Sequence, residues 1–586
     1  MSVQVGRVIV NNFKSCVLTD ISLSKYTALI GYNNSGKSNI ISAIHWLLRK
    51  SVLDSSSFKD PAQPIEVEGH IDGISAAILG LMPQQQQQQI QQYVVNEKLV
   101  IKRTQTRPDV KVADIKLSVW SEQTNSWVPN PTGIDNAIGV LLPEPIRIGA
   151  MEDAAEDSSK AKTSTTIGKL LAEFIEPVRT AHEAELDLHL NEVERRISAD
   201  GDARLTELDI IDASLSSKIN DLFPGLSIKL HFPVPELVDL IKSGTVKVYE
   251  DAGPSRMFSS YGHGAQRSIQ MALIRHLAEV RRAAAVQHGT TLLLIDEPEL
   301  YLHPFAVEHI REALKSLSNN GYQVILSTHS AQMVTAKDAE NALLIRKSTA
   351  LGTHSRRRLH DAIQNVVPNA THQTEQLFTL GNSSQVLFAD KVILTEGKTE
   401  LRLLPCIFQK ELGRTLGQNR VALIAQSGVC DTKKSMEILI AMDIPSKAIV
   451  DLDYALNGGI SHGFVAASDQ NVAAIKAIFT RLETAGQITL NTNTGLPQNG
   501  IVTAATAFAL MAAEPDALQP IEALHIHLKA QNIWLWKKGT IENHLGLTAK
   551  NETAWARFQT DYETLGLQSM CPEHQTISEM IAWVAM

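Results

Sequence analysis

Four cysteines, Cys16, Cys406, Cys430 and Cys571, are scattered through 586 residues without a Cys-x-x-Cys pair. That spacing excludes a zinc ribbon and fits a reducing compartment. No run is long enough to span a bilayer. The most apolar late stretch, residues 501–513, is too short and stops at Glu514. The chain opens without a charged segment followed by an apolar one, so no secretory signal is expected. A surplus of basic charge is also missing, since the formal net charge is −9. This argues against a wholly basic nucleic-acid coat but leaves room for a local basic groove, because binding depends on local phosphate neutralisation. These absences lead to the expectation of a cytoplasmic protein with no membrane contact. What remains is ordinary globular composition, 44% hydrophobic and 20% charged, on a chain long enough for about three or four domains.

Residues 290–304, TTLLLIDEPELYLHP, organise the rest. The apolar run 292–295 ends in Asp296 and Glu297, and a turn follows at Pro298. A short β-prone run stopped by two acids predicts a buried parallel strand that delivers carboxylates to the C-terminal edge of a sheet. Open α/β sheets bind ligands at that edge. Asp296 is expected to hold Mg²⁺ through its shell, and Glu297 to polarise an attacking water.

Upstream, strands are expected over 3–10, from 20, and over 26–30. The last leads into GYNNSGKS, residues 31–38, and a helical pattern through Leu48. This is G-x-x-x-x-G-K-S in its strand–loop–helix setting. Its glycines, with Asn34 and Gly36 in the loop, let backbone N–H groups wrap a phosphate at a helix N-terminus. Lys37 would neutralise the β- and γ-phosphates of ATP, and Ser38 would ligate Mg²⁺. Strands are expected again over 65–71 and 98–104. Between them a glutamine tract from Gln84 predicts a solvated loop or helix end. Residues 167–175, 184–197 and 205–222 carry helical spacing rich in charge, and Pro224, Pro233 and Pro235 signal a return to sheet. Gly262 and Gly264 stand before an amphipathic helix over 268–282 and form a second candidate anion nest. His329 ends another buried run, 322–326, where it could reach a γ-phosphate.

Taken in this order, the motifs resemble an ABC-type ATPase head, similar to those of SMC-like proteins. About 260 residues separate Lys37 from Asp296, enough for a helical insert. The resemblance implies ATP binding, with Gly262 and Gly264 as a signature loop that contacts ATP held by an opposite subunit. It therefore implies two heads, with the insert as a dimerisation arm.

The final third carries a second set. Short apolar runs at 391–395, 421–425 and 448–450 end in Glu396-Gly397, in Gln426-Ser427-Gly428 and in Asp451-x-Asp453. Strand alternation would put Asp451 and Asp453 on one face, and a helical turn after Gly397 would bring Glu400 back toward Glu396. Carboxylates gathered in this way repel unless a cation neutralises them. All-oxygen donors select hard ions, Mg²⁺ or Mn²⁺. Two such ions about 4 Å apart activate water and stabilise a leaving phosphate oxygen. Near the end, WLWKKGTIEN offers Lys538 to stabilise phosphate charge and Glu542 to complete the metal shell. Trp534 and Trp536 suit a core better than a stacking platform. Arg356–Arg358, Lys433, Lys434, Lys537 and Lys538 are candidates for a DNA path.

The pattern Glu396-Gly397…Gly428…Asp451-x-Asp453 resembles a Toprim domain. No segment offers the tyrosine of a topoisomerase cleavage domain, and the cysteines cannot supply a primase zinc ribbon. An ABC-type head joined to a C-terminal Toprim domain resembles the OLD (overcoming lysogenization defect) family, phage and prophage class. The implied fold is α/β: a P-loop ATPase head over 1–162 and 241–375, a helical dimerisation insert over 163–240, and a Toprim domain over 385–586. The implied activity is ATP-regulated, two-metal DNA endonuclease or nickase chemistry in phage defence, by a homodimer or higher oligomer. In that role Glu396, Glu400, Asp451 and Asp453 are metal ligands. Some relatives work with a partner helicase or a retron. The rival reading is a DNA-binding ATPase clamp whose Toprim domain only binds DNA or a partner.

Overall fold

The structure is a computed structural model that describes residues 3–149, 166–237, 240, 246–250, 253–283, 290–339, 341–361, 385–426 and 432–586. The chain divides into two compact units. One comprises Met1–Thr27, Gly36–Thr328 and Lys347–Thr353; the other comprises Ala28–Ser35, His329–Arg346 and His354–Met586.

β1 (Gln4–Phe13) and β2 (Cys16–Ser22) form a hairpin. β3 (Tyr26–Ile30) leads into the glycine-rich loop. β4 (Ile65–Asp72), β5 (Leu99–Gln105), β6 (Lys116–Ser121) and β7 (Ser126–Pro129) extend the antiparallel sheet outward from β1. β4 alternates buried and half-buried residues, the period of a strand covered on one face. β8 (Ile146–Ile148) is a short parallel strand. A small hairpin, β9 (Lys247–Val248) with β10 (Arg256–Met257), follows later in the chain. β11 (Thr291–Asp296) pairs in parallel with both β8 and β12 (Tyr322–Thr328). Every residue of β11 and β12 is buried, as an unbroken apolar run covered on both faces requires.

Two expectations change here. The glutamine tract is a helix, Gln84–Gln91, anchored by the buried Ile90. Glutamine is a good helix former, and Pro83 sits just before the first turn, where its missing N–H costs nothing. Among the described residues no strand forms over 224–237, and sheet returns only with the short β9–β10 hairpin. The extended run after Pro224 follows the helix Thr206–Leu222, where Ser216 Oγ bonds both backbone groups of Ile228 and Asp212 takes the Leu230 N–H. Side chains thereby supply the backbone partners that a neighbouring strand would otherwise give. The preceding helix, Thr166–Ile197, runs unbroken for 32 residues.

In the second unit, β13 (Leu343–Ser348) lies parallel to β3, with Leu343 opposite Leu29. β14 (Gly352–Ser355) meets β2 at Gly352 and Cys16, both in the first unit. A four-stranded parallel sheet follows, in the order β16 (Val421–Ala425), β15 (Lys391–Thr395), β17 (Ser446–Val450) and a last strand drawn from Ile533–Leu535. Between β17 and that last strand lies a short antiparallel pair, β18 (Thr489–Leu490) and β19 (Pro497–Gln498), so the last strand is β20. Trp534 and Trp536 are fully buried in a core with Ile393, Phe408, Ile449 and Tyr562, which is their expected core role. Among the described residues no helix is long and apolar enough to cross a membrane.

Candidate active site

The glycine-rich loop has the backbone of a phosphate cradle. Asn34 (φ 64) and Gly36 (φ 101) are both left-handed, which turns successive N–H groups toward one side. A Cβ on Gly36 would come within 2.0 Å of Thr353 Oγ1, and one on Gly31 within 2.4 Å of the Ile345 carbonyl oxygen, so only glycine fits either place. Lys37 and Ser38 open the helix Lys37–Leu48 at its positive dipole end. Lys37 is buried, and the helix packs against β11 and β12.

β11 delivers Asp296 to its C-terminal end, 3% exposed. Its carboxylate accepts a hydrogen bond from Ser327 Oγ (2.8 Å) and lies 3.9 Å from Arg147. Glu297 follows in the left-handed region (φ 49), a costly conformation for a non-glycine residue and one that redirects its side chain out of the strand. Arg267 donates to the backbone oxygens of both acids, 2.7 Å each, and to Gly149 O at 3.0 Å. Gly262 and Gly264 lie at the start of the helix His263–Ala283, which carries Arg267. The segment read as a signature loop therefore also braces the acidic strand end of its own chain. Sequence reasoning missed this; an arginine one turn into the helix was the only signal. His329 directly follows β12 and is half-buried.

The second cluster forms at the C-terminal ends of β15 and β17. Glu396 follows β15, and its Oε2 accepts the Asp451 N–H at 3.0 Å. Gly397 caps the helix Lys398–Leu412, whose first turn carries Glu400, 3% exposed. A Cβ on Gly397 would meet the Glu400 carboxylate at 3.1 Å, so the glycine makes room for that acid. β17 stops at Val450, and Asp451 begins a 3-10 turn, Leu452–Leu456. Asp451 and Asp453 are therefore not brought together by strand alternation, as expected. The tight turn keeps Asp453 near enough to act on Glu396. Glu542 opens the short helix Ile541–Leu545 after β20 and accepts from Thr399 Oγ1 at 2.6 Å. Ser427 and Gly428 lie outside the described residues.

Electrostatics ties these acids into one group. Burial, then the Asp453 charge, pushes Glu396 up to about 6. Burial, with Glu542 and Glu396 adding to it, pushes Glu400 up to about 7. Burial and the charges of Glu396 and Glu400 hold Asp451 well above the usual carboxylate range. Burial raises Asp453 as well. Burial also acts to raise Glu542, but hydrogen bonds from Thr399 and Thr540, with the charge of Lys550, outweigh it and leave Glu542 below its ordinary value. The cation acting on all five is Lys550, 3.1 Å from Glu542 Oε2. Lys538, expected to stabilise charge on a phosphate, lies 3.8 Å from Glu573. Lys550 stands outside any motif, which is why it was not legible.

Asp451 Oδ1 is buried without a hydrogen-bond partner among the described residues. An orphan carboxylate oxygen among all-oxygen donors suits a hard divalent cation. The carboxylates do not yet form a closed shell: among the described residues no three acidic, histidine or cysteine side chains stand at metal-holding distance. Glu396 spends an oxygen on Asp451 N–H, and Glu542 is drawn to Thr399 and Lys550.

A family model described as "Overcoming lysogenization defect protein-like, TOPRIM domain" matches residues 387–453. An "AAA ATPase domain" model matches residues 4–116, and an "AAA domain, putative AbiEii toxin, Type IV TA system" model matches residues 104–334. The Old nuclease of Escherichia phage P2 is 37% identical over 586 residues, covering 99% of this chain and 98% of that protein. The chain belongs to the OLD family. The OLD nuclease of Thermus scotoductus is 26% identical over 194 residues, 32% of this chain and 35% of that one. Among solved structures, an SmcHead bound to the C-winged helix domain of ScpA covers 61% of this chain and 99% of its own, with 17% identity and a TM-score of 0.37. The SMC head domain of Thermotoga maritima covers 61% and 98%, with 16% identity and a TM-score of 0.27. As an OLD-family chain this is an α/β hydrolase that joins an ATPase part to a Toprim part.

Proposed function

We propose that this OLD-family chain is an ATP-regulated, divalent-metal-dependent DNA endonuclease or nickase in phage defence or phage exclusion, working as a homodimer. The observation that carries the reading is the cluster of Glu396, Glu400, Asp451, Asp453 and Glu542, with pKa values raised in four of the five and a buried orphan oxygen on Asp451. Glu396, Glu400, Asp451 and Asp453 would hold Mg²⁺ or Mn²⁺, with Glu542 completing the shell. Bound there, such ions supply an activated water and neutralise the charge of a leaving phosphate oxygen. The chain's own residues set the stage. The Asp451 N–H orients Glu396, Thr399 Oγ1 orients Glu542, and burial favours the protonated form of Glu400, whose carboxylate a bound cation would stabilise. Lys550 balances the acids, and Lys538 would stabilise the charge that builds on the phosphate.

In the ATPase part, Lys37, Ser38, Asn34 and Gly36 would bind ATP with Mg²⁺ held by Ser38 and Asp296. Glu297 would position the attacking water, and His329 would sense the γ-phosphate. Gly262 and Gly264 would reach ATP of the opposite head. The proposed domain division remains 1–162 with 241–375 for the ATPase, 163–240 for the dimerisation insert and 385–586 for the nuclease.

One observation favours the second reading, a DNA-binding clamp without cleavage: the acids are not gathered into a ready metal shell. Supercoiled plasmid incubated with the protein and Mg²⁺ or Mn²⁺ separates the two. Nicking or linearisation that drops by about a hundredfold or more in Asp451→Ala supports the nuclease. Wild-type protein that leaves the plasmid intact with either metal supports the clamp.

A further inference from the structure

The second unit contains a cluster that none of the chemistry above uses. Tyr32, the second residue of the phosphate loop, stands between two guanidinium groups. Arg420 lies 4.4 Å from its ring centroid and Arg346 lies 5.3 Å from it. Both distances are within the range of a cation–π contact. Arg346 is 3% exposed and sits on β13, whose Ile345 carbonyl crowds Gly31 of the same loop. Its guanidinium donates to Ala389 O (3.0 Å) and Leu387 O (3.3 Å), the residues that lead into β15. Asp390 joins the two arginines, 3.5 Å from Arg346 and 3.2 Å from Arg420. The Asp390 N–H also donates to Arg420 O at 2.8 Å. Arg420 directly precedes β16, the edge strand of the Toprim sheet, and holds a left-handed φ of 53. A non-glycine residue kept in that conformation at one end of such a network is backbone strain that the network sustains.

We infer that Tyr32, Arg346, Arg420 and Asp390 form a latch through which nucleotide occupancy of the phosphate loop is transmitted to the β15–β16 edge of the Toprim sheet. This rests on the nucleotide and nuclease roles proposed above and names the device that links them. The Tyr32 carbonyl accepts the Ser35 N–H (3.2 Å) and closes the turn of the loop. Phosphate binding recruits the N–H groups of residues 34–38, so it reorders the turn that fixes the Tyr32 ring. The ring then tightens or loosens the hold of Arg420. Arg420 and Asp390 in turn fix the starts of β16 and β15, and Glu396 stands at the far end of β15 from Asp390. Both arginines engage the one ring and the one carboxylate at once, so a displaced ring alters both contacts together. Arg346 and Arg420 are thus positioning residues that act on Glu396 through β15.

The test is hydrogen–deuterium exchange on the full-length protein with and without a non-hydrolysable ATP analogue, alongside a separate binding titration with a fluorescent analogue. In wild type the analogue should raise protection of residues 387–395 and 417–425 by about tenfold. Arg420→Gln, at an exposed position, should bind the analogue with an unchanged dissociation constant and lose that protection. Arg420→Lys keeps the charge over the ring and should retain part of it. Tyr32→Phe keeps the aromatic face but loses the hydroxyl that hydrogen-bonds Arg420, so it should keep part of the response, and Tyr32→Leu should lose it. Wild type that binds the analogue without a change in those segments overturns the latch, and so does a response that survives intact in Arg420→Gln. Failure of wild type to bind the analogue at all strikes the nucleotide assignment, and the latch falls with it.

Discussion

Glu400 carries a pH signature set by burial first and by the neighbouring Glu542 and Glu396 charges after it. Folded, it keeps its proton up to about pH 7; unfolded, it releases it near 4.5. Between those values the native state binds more protons than the unfolded one, so stability falls as pH rises. The stabilisation is fully present below pH 4.5 and is lost through pH 7, amounting to about 3 kcal/mol. Glu396, pushed up to about 6, adds in the same direction. Denaturant melts in EDTA should therefore show greater stability at pH 5 than at pH 8. Glu400→Gln should flatten the difference, and Mg²⁺ should recover stability at pH 8. A metal-free profile that is flat in wild type contradicts the buried acid cluster. At the other site, Glu297→Gln should slow ATP turnover by about a hundredfold while leaving nucleotide affinity within about twofold. Loss of binding, measured by titration, contradicts the water-positioning role. Each of these acids except Asp453 stands where a strand or a helix begins or ends, which is why so many were readable from sequence. Lys550 and Arg267 act across distances that no motif spans.

Elements decide how those residues meet. β13 passes so close to the phosphate loop that Gly31→Ala would put a methyl group 2.4 Å from a backbone carbonyl oxygen. Backbone cannot move aside as a flexible side chain can. We expect a stability loss of about 1–3 kcal/mol and weaker ATP binding, read by thermal melts with and without nucleotide. Unchanged melting would mean that β13 can shift without cost. The 3-10 turn at Leu452–Leu456 makes a related point. The Asp-x-Asp spacing was legible, but the geometry that presents it was not. Period-two alternation holds only while the chain remains a strand, and β17 ends at Val450, before either aspartate.

For the whole molecule, charge and burial bear on the proposed dimerisation insert over 163–240. Its described residues expose Leu188, Ile210, Ile211, Leu222 and Phe223 on an otherwise charged pair of helices. Apolar side chains left in water on a long arm favour a partner surface. The purified protein should sediment as a dimer, and Ile210→Glu with Leu222→Glu should give monomers at micromolar concentration. A wild-type monomer in sedimentation removes the arm from the dimer proposal.

The sequence by itself determined the order of motifs, the strands that end in acids, the glycines of the phosphate loop and the tryptophans of the core. Each of these depends on local backbone preference or on a single burial pattern within a few residues. Only the tertiary structure decided that Lys550 is the counter-charge of the acid cluster, that Arg267 braces the end of β11, and that Tyr32 lies between Arg346 and Arg420. Those contacts join residues far apart in the chain. Charge and aromatic faces act through space, so their partners are fixed by packing and not by sequence spacing.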